Sequence, residues 1–279
     1  MRHIDLNFIM SYANQLTSCA ILITRPEPQA KKLSEKISLL GGLPVLCPTI
    51  AITPSNNVHE LNQIIQQLDH YDIAIFVSAN AVWYSKEIIR KYWPSLPKQL
   101  IVMAIGPATA HALKEAGIPV HYIPENHFTS EALLALESLQ QIEDKKIVLF
   151  AGQGGRELIQ TTLTNRKAIV TKAIAYQRIR PVMAAKVQYF IQQKGLDCII
   201  STSSEGLHNL IAMVDKARQA RLIATPLVVV SERMASDAHS LDFTAIMVAK
   251  NASDEAILAT LVRWKETCNG REKSFRIDK

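Results

Sequence analysis

The sequence predicts an α/β protein of two similar lobes, each a doubly wound parallel sheet covered by helices on both faces. Three observations carry this prediction: one order of elements occurs twice, short β-branched runs alternate with helical segments, and those runs are apolar throughout. An unbroken apolar run indicates a strand that is buried on both faces, as strands of parallel sheets are. Binding sites in such sheets lie beyond the carboxyl ends of the strands.

Four elements recur in the same order at a nearly constant offset. The apolar strand at Ile21 recurs at Ile147, an offset of 126 residues. Offsets of 125, 125 and 124 residues relate the other three pairs, which are DIAIFVS with DCIISTS, IVMAIG with LVVVS, and SEALLAL with DEAILAT. A repeat of this kind predicts two lobes with similar folds.

Helices are predicted between the strands from apolar spacing and from start and stop residues. Residues 26–40 carry apolar side chains at helical spacing, and the glycine pair 41–42 ends that helix. A second helix is predicted over residues 108–115, between a proline and a glycine, and a third over residues 156–163, after a glycine-rich turn.

Two extended segments bounded by proline, residues 48–54 and 173–181, occupy equivalent places in the repeat. Ile50 of the first corresponds to Tyr176 of the second, at an offset of 126 residues. Equivalent extended segments favour pairing, so a two-stranded connector is expected to join the lobes.

The connector allows two domain arrangements, which the residues alone do not distinguish. In the exchanged arrangement, residues 19–50 and 177–264 form a first, discontinuous α/β domain, and residues 51–176 form the second, which includes the connector strands. In the alternative, two lobes simply follow one another along the chain. Residues 1–18 are expected to form an N-terminal extension, and residues 265–279 a flexible tail.

Composition excludes several classes of protein. The net charge of +6 suits an anionic ligand, but the basic residues are spread along the chain, which favours a solvated surface over a nucleic-acid interface. No apolar run is long enough for a membrane span, and polar residues near the start argue against a signal peptide. We therefore expect a cytoplasmic protein, with a monomer as the default state.

Cysteine and histidine spacing shows no metal signature. The histidines lack ligand spacing, and the four cysteines lie far apart without a C-x-x-C pair, which fits a reducing compartment: Cys19, Cys47, Cys198 and Cys268. No metal and no cofactor are therefore expected.

Seven short motifs, in this order, resemble the uroporphyrinogen-III synthase family. Each motif is weak alone, and the resemblance runs from about residue 20 to residue 264. The motifs are Thr24-Arg25-Pro26, Pro48–Ile52, Phe76–Val82, Ile105–Ala110, Ala151–Leu158, Ala175–Arg178 and Ile200–Ser203. The resemblance implies the exchanged arrangement, with an open cleft between two lobes that close during turnover. It implies a lyase without a cofactor and, for an unstable substrate, transient contact with the preceding pathway enzyme.

The sequence departs from the family pattern at three places. The usual Ser-Pro-Asn is Ser78-Ala79-Asn80, and the second-lobe counterpart of Gly-Pro-x-Thr-Ala is Ser231-Glu-Arg-Met-Ala235. A glycine expected near Lys167 is absent.

The family's substrate, as the resemblance implies, is hydroxymethylbilane, a linear tetrapyrrole with acetate and propionate groups. Its terminal hydroxyl leaves as water, and the cation is attacked at the substituted carbon of the last pyrrole. The spiro intermediate then fragments and recloses with that ring inverted. This chemistry needs a shaped cleft, donors for carboxylates and one weak acid near the leaving hydroxyl.

Tyr176 matches the family's tyrosine on the connector and is the candidate for that acid. A phenol can hydrogen-bond to a departing hydroxyl or protonate it. The alternative is a tyrosine packed at a lobe junction, with its hydroxyl satisfied locally. We expect partial rather than total loss of activity in Tyr176→Phe.

Polar residues just beyond the strands are candidates for binding the substrate's carboxylates. Helix N-termini at these places offer free N–H groups and a positive dipole end. The alternative role for each is ordinary helix capping, which can coexist with binding. The candidates are Ser78, Asn80, Thr109, Ser201, Ser203 and Ser231.

A glycine-rich turn supplies the remaining candidates. Gly152 and Gly155 allow close approach of a carboxylate to the backbone, and Arg156 can make a bidentate contact. Arg25, in the matching turn of the other lobe, either binds a carboxylate or forms a salt bridge. Weaker candidates for the same electrostatic role are Arg178, Arg180 and Arg233.

Two other functions fit the predicted fold. A two-lobed cytoplasmic protein that binds an anionic metabolite without turnover would show the same repeat. A phosphosugar or nucleotide transferase could use the glycine-rich turn for phosphate, but no acidic metal-binding motif accompanies it. The choice among them rests on the motifs, because fold alone does not decide function.

Overall fold

The computed structural model describes residues 14–27, 29–155 and 157–277, with the backbone alone for residues 194 and 269–277. Ten strands lie in these ranges: β1 (Ala20–Ile23), β2 (Leu43–Leu46), β3 (Ala51–Pro54), β4 (Ile73–Phe76), β5 (Ile101–Ala104), β6 (Lys146–Gly152), β7 (Ile169–Ile179), β8 (Cys198–Ile200), β9 (Leu227–Val229) and β10 (Ile246–Val248).

The α-helices of the described ranges lie between these strands and after the last one. They are α1 (Gln29–Leu39), α2 (Val58–Gln66), α3 (Ala79–Tyr92), α4 (Pro107–Glu115), α5 (Ser130–Leu134), α6 (Leu158–Asn165), α7 (Ala185–Tyr189), α8 (Ser204–Met213), α9 (Lys216–Ile223), α10 (Glu232–Ser240) and α11 (Asp254–Ile277).

The strands form two five-stranded sheets, with the orders β10-β9-β8-β1-β2 and β3-β7-β6-β4-β5. Neighbours from β10 to β2 in the first sheet and from β7 to β5 in the second are parallel. The predicted α/β class with two parallel sheets is confirmed.

Each sheet contains strands from both halves of the chain. In the first sheet β1 pairs with β8, and in the second β4 pairs with β6. The order β9-β8-β1-β2 in one sheet matches β5-β4-β6-β7 in the other when each strand is replaced by its repeat counterpart. The two halves of the duplicated chain are therefore exchanged between the sheets.

Backbone contacts divide the chain into two compact units. The first unit comprises the chain up to Ala51 and again from Arg180, and the second comprises Ile52–Ile179. The two proline-bounded segments pair at the edge of the second sheet as β3 and β7, and the Ser55 N–H donates to the Ala175 carbonyl at 3.2 Å.

The strands are buried on both faces because helices cover both sides of each sheet. Ile73 and Ile75 of β4 pack into one apolar cluster, and Ala74 and Phe76 pack into the cluster on the opposite face. Phe76 stacks on Phe150 of the adjacent strand, with ring centroids 4.4 Å apart. The unbroken apolar runs of the sequence correspond to this two-sided burial.

Four helices end in the same way at two pairs of repeat-equivalent positions. Gly41 and Gly117, two of the predicted stops, have positive φ angles of 82° and 73°. Their counterparts in the second half are not glycines, yet Lys167 has a φ of 63° and Asp242 a φ of 66°. The left-handed geometry of these helix ends is therefore the same in both halves of the chain, although the second half has Lys167 and Asp242 in place of glycine.

The chain ends differ from the expected loose segments where the structure describes them. Leu16 is fully buried, and its N–H donates to the Leu40 carbonyl at 2.9 Å, so residues 14–18 pack on the first unit. The rest of the predicted extension, residues 1–13, lies outside the described residues. The helix α11 continues to Ile277 through the predicted tail, where Glu, Lys and Arg are good helix formers.

Within the described ranges, no helix is long and apolar enough to cross a membrane.

Candidate functional site

A pocket of about 270 Å³ lies within the second unit, beyond the carboxyl ends of β4, β5 and β6. Its lining combines strand ends, the glycine-rich turn and part of β7: Val77, Ser78, Ile105, Ser130, Leu149, Ala151, Gly152, Gln153, Gly154, Gly155, Ile159, Gln160, Lys172, Tyr176 and Arg178. Four residues predicted from the sequence, Ser78, Gly152, Gly155 and Tyr176, therefore meet in one pocket.

Tyr176 is the central aromatic residue of this pocket and is 6 % exposed. The Ser78 Oγ donates a hydrogen bond to the Tyr176 hydroxyl at 3.2 Å. The Tyr176 carbonyl accepts a hydrogen bond of 2.7 Å from the Gln153 N–H, which ties the strand to the glycine-rich turn. Tyr84 lies nearby, with its ring centroid 6.1 Å from that of Tyr176.

An irregularity in the pairing of β6 and β7 directs the Tyr176 side chain. Ala151 pairs with Ile174, but the next residue, Gly152, pairs with Tyr176, so β7 has one additional residue at this point. Such a bulge changes the direction of the side chains that follow it. The orientation of Tyr176 therefore depends on a local feature that the alternation of the sequence does not predict.

Gly152 is required by the position of the Tyr176 ring. A Cβ atom at residue 152 would lie 2.6 Å from both Cε2 and Cζ of Tyr176, closer than such atoms approach. Gly155 has a φ of 91° and open space around it, so its glycine serves the turn rather than packing. Arg156, the predicted carboxylate ligand of this turn, lies outside the described residues.

The charged side chains of the pocket lining are Lys172 and Arg178, and none of the described lining residues is acidic. Lys172 is half-buried on β7, four residues before Tyr176. Sequence reasoning did not select Lys172, although a lysine within a strand of apolar and β-branched residues is itself a signal. This lining favours an anionic ligand.

The predicted residues of the first unit act as helix caps or internal hydrogen-bond donors. Ser203 Oγ accepts the Gly206 N–H at 3.0 Å, and Ser231 Oγ accepts the Met234 N–H at 3.3 Å. Ser201 is fully buried, and its hydroxyl donates to the Ser203 carbonyl at 3.2 Å. These contacts match the capping alternative and leave room for a second role at the same helix ends.

Asn80 and Thr109 lie outside the lining of the pocket. Asn80 is half-buried in the first turn of α3, and Thr109 is 3 % exposed in α4. Both helices begin at the carboxyl edge of the second sheet, as the sequence predicted.

Arg25 forms an ion pair within the first unit. It is 6 % exposed, its Nη1 lies 2.6 Å from Asp254 Oδ1, and its Nη2 donates to the Ala252 carbonyl. Lys36 joins the same carboxylate at 3.1 Å. Of the two roles considered for Arg25, this geometry matches the salt bridge rather than a contact with a ligand's carboxylate.

The repeat explains why the two units differ here. The counterparts of Arg25 and Asp254 in the second unit are Ala151 and Ser130, both of which line the pocket. The first unit therefore has the Arg25–Asp254 ion pair at the position where the second unit has Ala151 and Ser130 beside a pocket.

Burial disfavours the reactive thiolate form of Cys19, Cys47 and Cys198. All four cysteines are free, and burial raises the pKa of Cys47 to about 12 and also raises that of Cys198. Among the described residues no group of three or more His, Cys, Asp and Glu side chains is placed to hold a metal ion.

A family model described as "Uroporphyrinogen-III synthase HemD" matches residues 31–259. The uroporphyrinogen-III synthase of Escherichia coli is 33% identical over 247 residues, which cover 87% of this chain and 99% of that protein. The enzyme of Salmonella typhimurium is 33% identical over 248 residues, with the same coverage.

Two solved structures share the fold. A uroporphyrinogen III synthase mutant from the extremely thermophilic bacterium Thermus thermophilus superposes with a TM-score of 0.56 at 19% identity, covering 88% of this chain and 98% of that one. The synthetase from Helicobacter pylori gives a TM-score of 0.54 at 14% identity, covering 88% and 99%.

Proposed function

The chain belongs to the uroporphyrinogen-III synthase family, and we propose that the pocket beside Tyr176 is where it cyclises hydroxymethylbilane. The observation that carries this proposal is a hydrogen-bonded phenol hydroxyl in a pocket whose described charged side chains are cationic. The substrate is a flexible polyanion, so it needs both the cations and the acid.

Tyr176 serves as the weak acid in the first step. The carbon–oxygen bond of the terminal hydroxymethyl group breaks, the phenol gives its proton to the departing hydroxyl, and water leaves. The resulting cation is stabilised by the pyrrole nitrogens of the substrate itself. Ring closure at the last pyrrole later releases a proton, which restores the phenol.

The remaining residues of the pocket hold the substrate in the geometry that inverts the last ring. Lys172 and Arg178 are suited to acetate and propionate groups, and the space beside Gly154 and Gly155 is open, which lets a carboxylate approach the turn. The bilane can also close without inversion, so the selectivity comes from positioning rather than from a strong nucleophile. We keep as further proposed donors Asn80, Thr109, Arg156, Ser201, Ser203 and Ser231.

Tyr176→Phe tests this role. We expect kcat to fall about tenfold to a hundredfold, because a positioned general acid contributes at least that much, while dehydration of the bilane continues slowly without it. The measurement is the rate of ring closure together with the ratio of type III to type I isomer among the oxidised products. Type I product alone from the unmodified protein would contradict the inverting cyclisation itself, and an unchanged rate in the variant would remove Tyr176 from the mechanism.

We further propose that the chain works in the cytoplasm as a monomer and receives its substrate from the enzyme that makes the bilane. The four free thiols support a reducing compartment.

A further inference from the structure

Ser78 connects the first turn of a helix to the Tyr176 hydroxyl. It precedes α3 in an extended conformation, and its Oγ accepts the Ala81 N–H at 3.1 Å as an N-cap. The same Oγ donates to the Tyr176 hydroxyl at 3.2 Å. One serine hydroxyl thus spans a helix N-terminus and the candidate acid.

The two hydrogen bonds of Ser78 reinforce each other. An oxygen that already accepts an N–H bond becomes a better donor through its own proton, because hydrogen bonds in a chain polarise one another. The phenol oxygen of Tyr176 accepts that proton, so the phenol's own proton remains available for the ligand in the pocket. As the phenol gives up its proton, the serine donor and the helix dipole behind it stabilise the negative charge.

The repeat shows that capping alone does not require this contact. Ser203 is the counterpart of Ser78 and caps α8 through the Gly206 N–H in the same way. The counterpart of Tyr176, however, is Ile50, which has no hydroxyl. The fold therefore forms the cap with or without a phenol, and the Ser78–Tyr176 bond is an addition of the second unit.

We propose that Ser78 is a positioning residue that orients the Tyr176 hydroxyl so that its proton points into the pocket. This inference rests on the proposed function, in which Tyr176 is the acid. It differs from the sequence-based expectation that Ser78 binds a substrate carboxylate directly.

The test compares Ser78→Ala and Ser78→Thr, each in the unmodified chain and together with Tyr176→Phe. We expect Ser78→Ala to lower kcat about tenfold with little change in KM, and Ser78→Thr to restore most of it, because threonine keeps both the cap and the donor. In the Tyr176→Phe background, Ser78→Ala should lower kcat less than about twofold, because residues that act as a unit are not additive.

Asn57→Ala is the matched control for the lost cap. Asn57 caps α2 in the same unit by accepting the Glu60 N–H at 3.2 Å, and it lies outside the pocket lining. Its loss should lower Tm about as much as Ser78→Ala does and leave kcat unchanged.

The outcomes separate the inference from the function on which it rests. A rise in KM with unchanged kcat in Ser78→Ala, or effects of Ser78→Ala and Tyr176→Phe that multiply, would overturn the positioning role. Tyr176→Phe at the full rate would instead overturn the role of the tyrosine itself.

Discussion

Lys172 is the residue of the pocket whose charge has the clearest consequence for substrate binding. It is half-buried on β7, and the described lining around it contains no carboxylate. A partly buried ammonium group loses hydration, which an anionic ligand can replace. Lys172 should therefore contribute to binding more than to the chemical step.

Lys172→Met removes this charge and keeps most of the side chain's length. We expect KM to rise roughly tenfold to 150-fold with kcat within about twofold, since a hydrogen bond to a charged group contributes about 1.5–3 kcal/mol. Steady-state kinetics with hydroxymethylbilane measures both constants. Lys114→Met, on the exposed face of α4, is the control and should change neither; an equal effect in both variants would contradict a specific contact.

At the scale of single residues, the sequence predicted which residues line the pocket better than it predicted what those residues contact. Ser78, Gly152, Gly155 and Tyr176 come together because they follow neighbouring strands of one parallel sheet, which is a rule of topology. The clash that makes Gly152 necessary depends on the bulge in β7, and no pattern of residues indicates that bulge. Likewise, a partner 229 residues away decided the role of Arg25.

The helix stop at Lys167 places a residue other than glycine in the left-handed region, with a φ of 63°. The Lys167 N–H donates to the Thr164 carbonyl at 2.8 Å, and the Ala168 N–H donates to the Leu163 carbonyl at 3.1 Å. These two bonds close a Schellman motif, whose left-handed position favours glycine. The family resemblance predicted a glycine near this residue, and the backbone retains the shape that glycine would adopt.

Lys167→Gly should stabilise the protein. A side chain other than glycine costs about 1 kcal/mol in the left-handed region, and the exposed ion pair of Lys167 with Glu143 contributes little in return. We expect Tm to rise by about 1–4 °C in calorimetry. Lys167→Ala loses the same charge but keeps a Cβ atom, so a gain of equal size in that variant would refute the explanation by strain.

Elements were the level at which the sequence was most informative. Continuous apolar runs predicted the buried parallel strands, and glycine or proline predicted several helix boundaries. The stops at Lys167 and Asp242 carry no glycine, although local backbone hydrogen bonds of the Schellman type hold both residues at positive φ. Only the repeat, which relates them to Gly41 and Gly117, indicates them.

At the scale of the whole molecule, the exchange of strands determines which pieces of the chain can fold alone. The segment of residues 50–180 contains all five strands of the second sheet, whereas residues 1–143 contain parts of both sheets and complete neither. In each sheet an aspartate just before a strand of one half bonds to a strand of the other half. Asp72 accepts the Lys146 N–H at 2.8 Å, and Asp197 accepts the Ala20 N–H at 2.7 Å.

We expect the fragment 50–180 to unfold cooperatively and the fragment 1–143 not to. A sheet needs its central strands to bury both faces, and residues 1–143 lack β6, which pairs with β4. Thermal unfolding followed by circular dichroism distinguishes the two fragments. A sharp transition in residues 1–143, with none in residues 50–180, would show that the halves of the repeat, rather than the exchanged units, fold independently.

The same exchange sets an order of events on the ribosome. All strands of the second unit have been synthesised once residue 179 is made. At that point β8, which pairs with the open edge of β1, has not yet been synthesised. For the time needed to translate residues 180–200, and longer for β9 and β10, that edge and the apolar faces beside it have no native neighbour in the nascent chain. The N-terminal strands are consequently the part of this protein most exposed to chaperones, and to mispairing, during its synthesis.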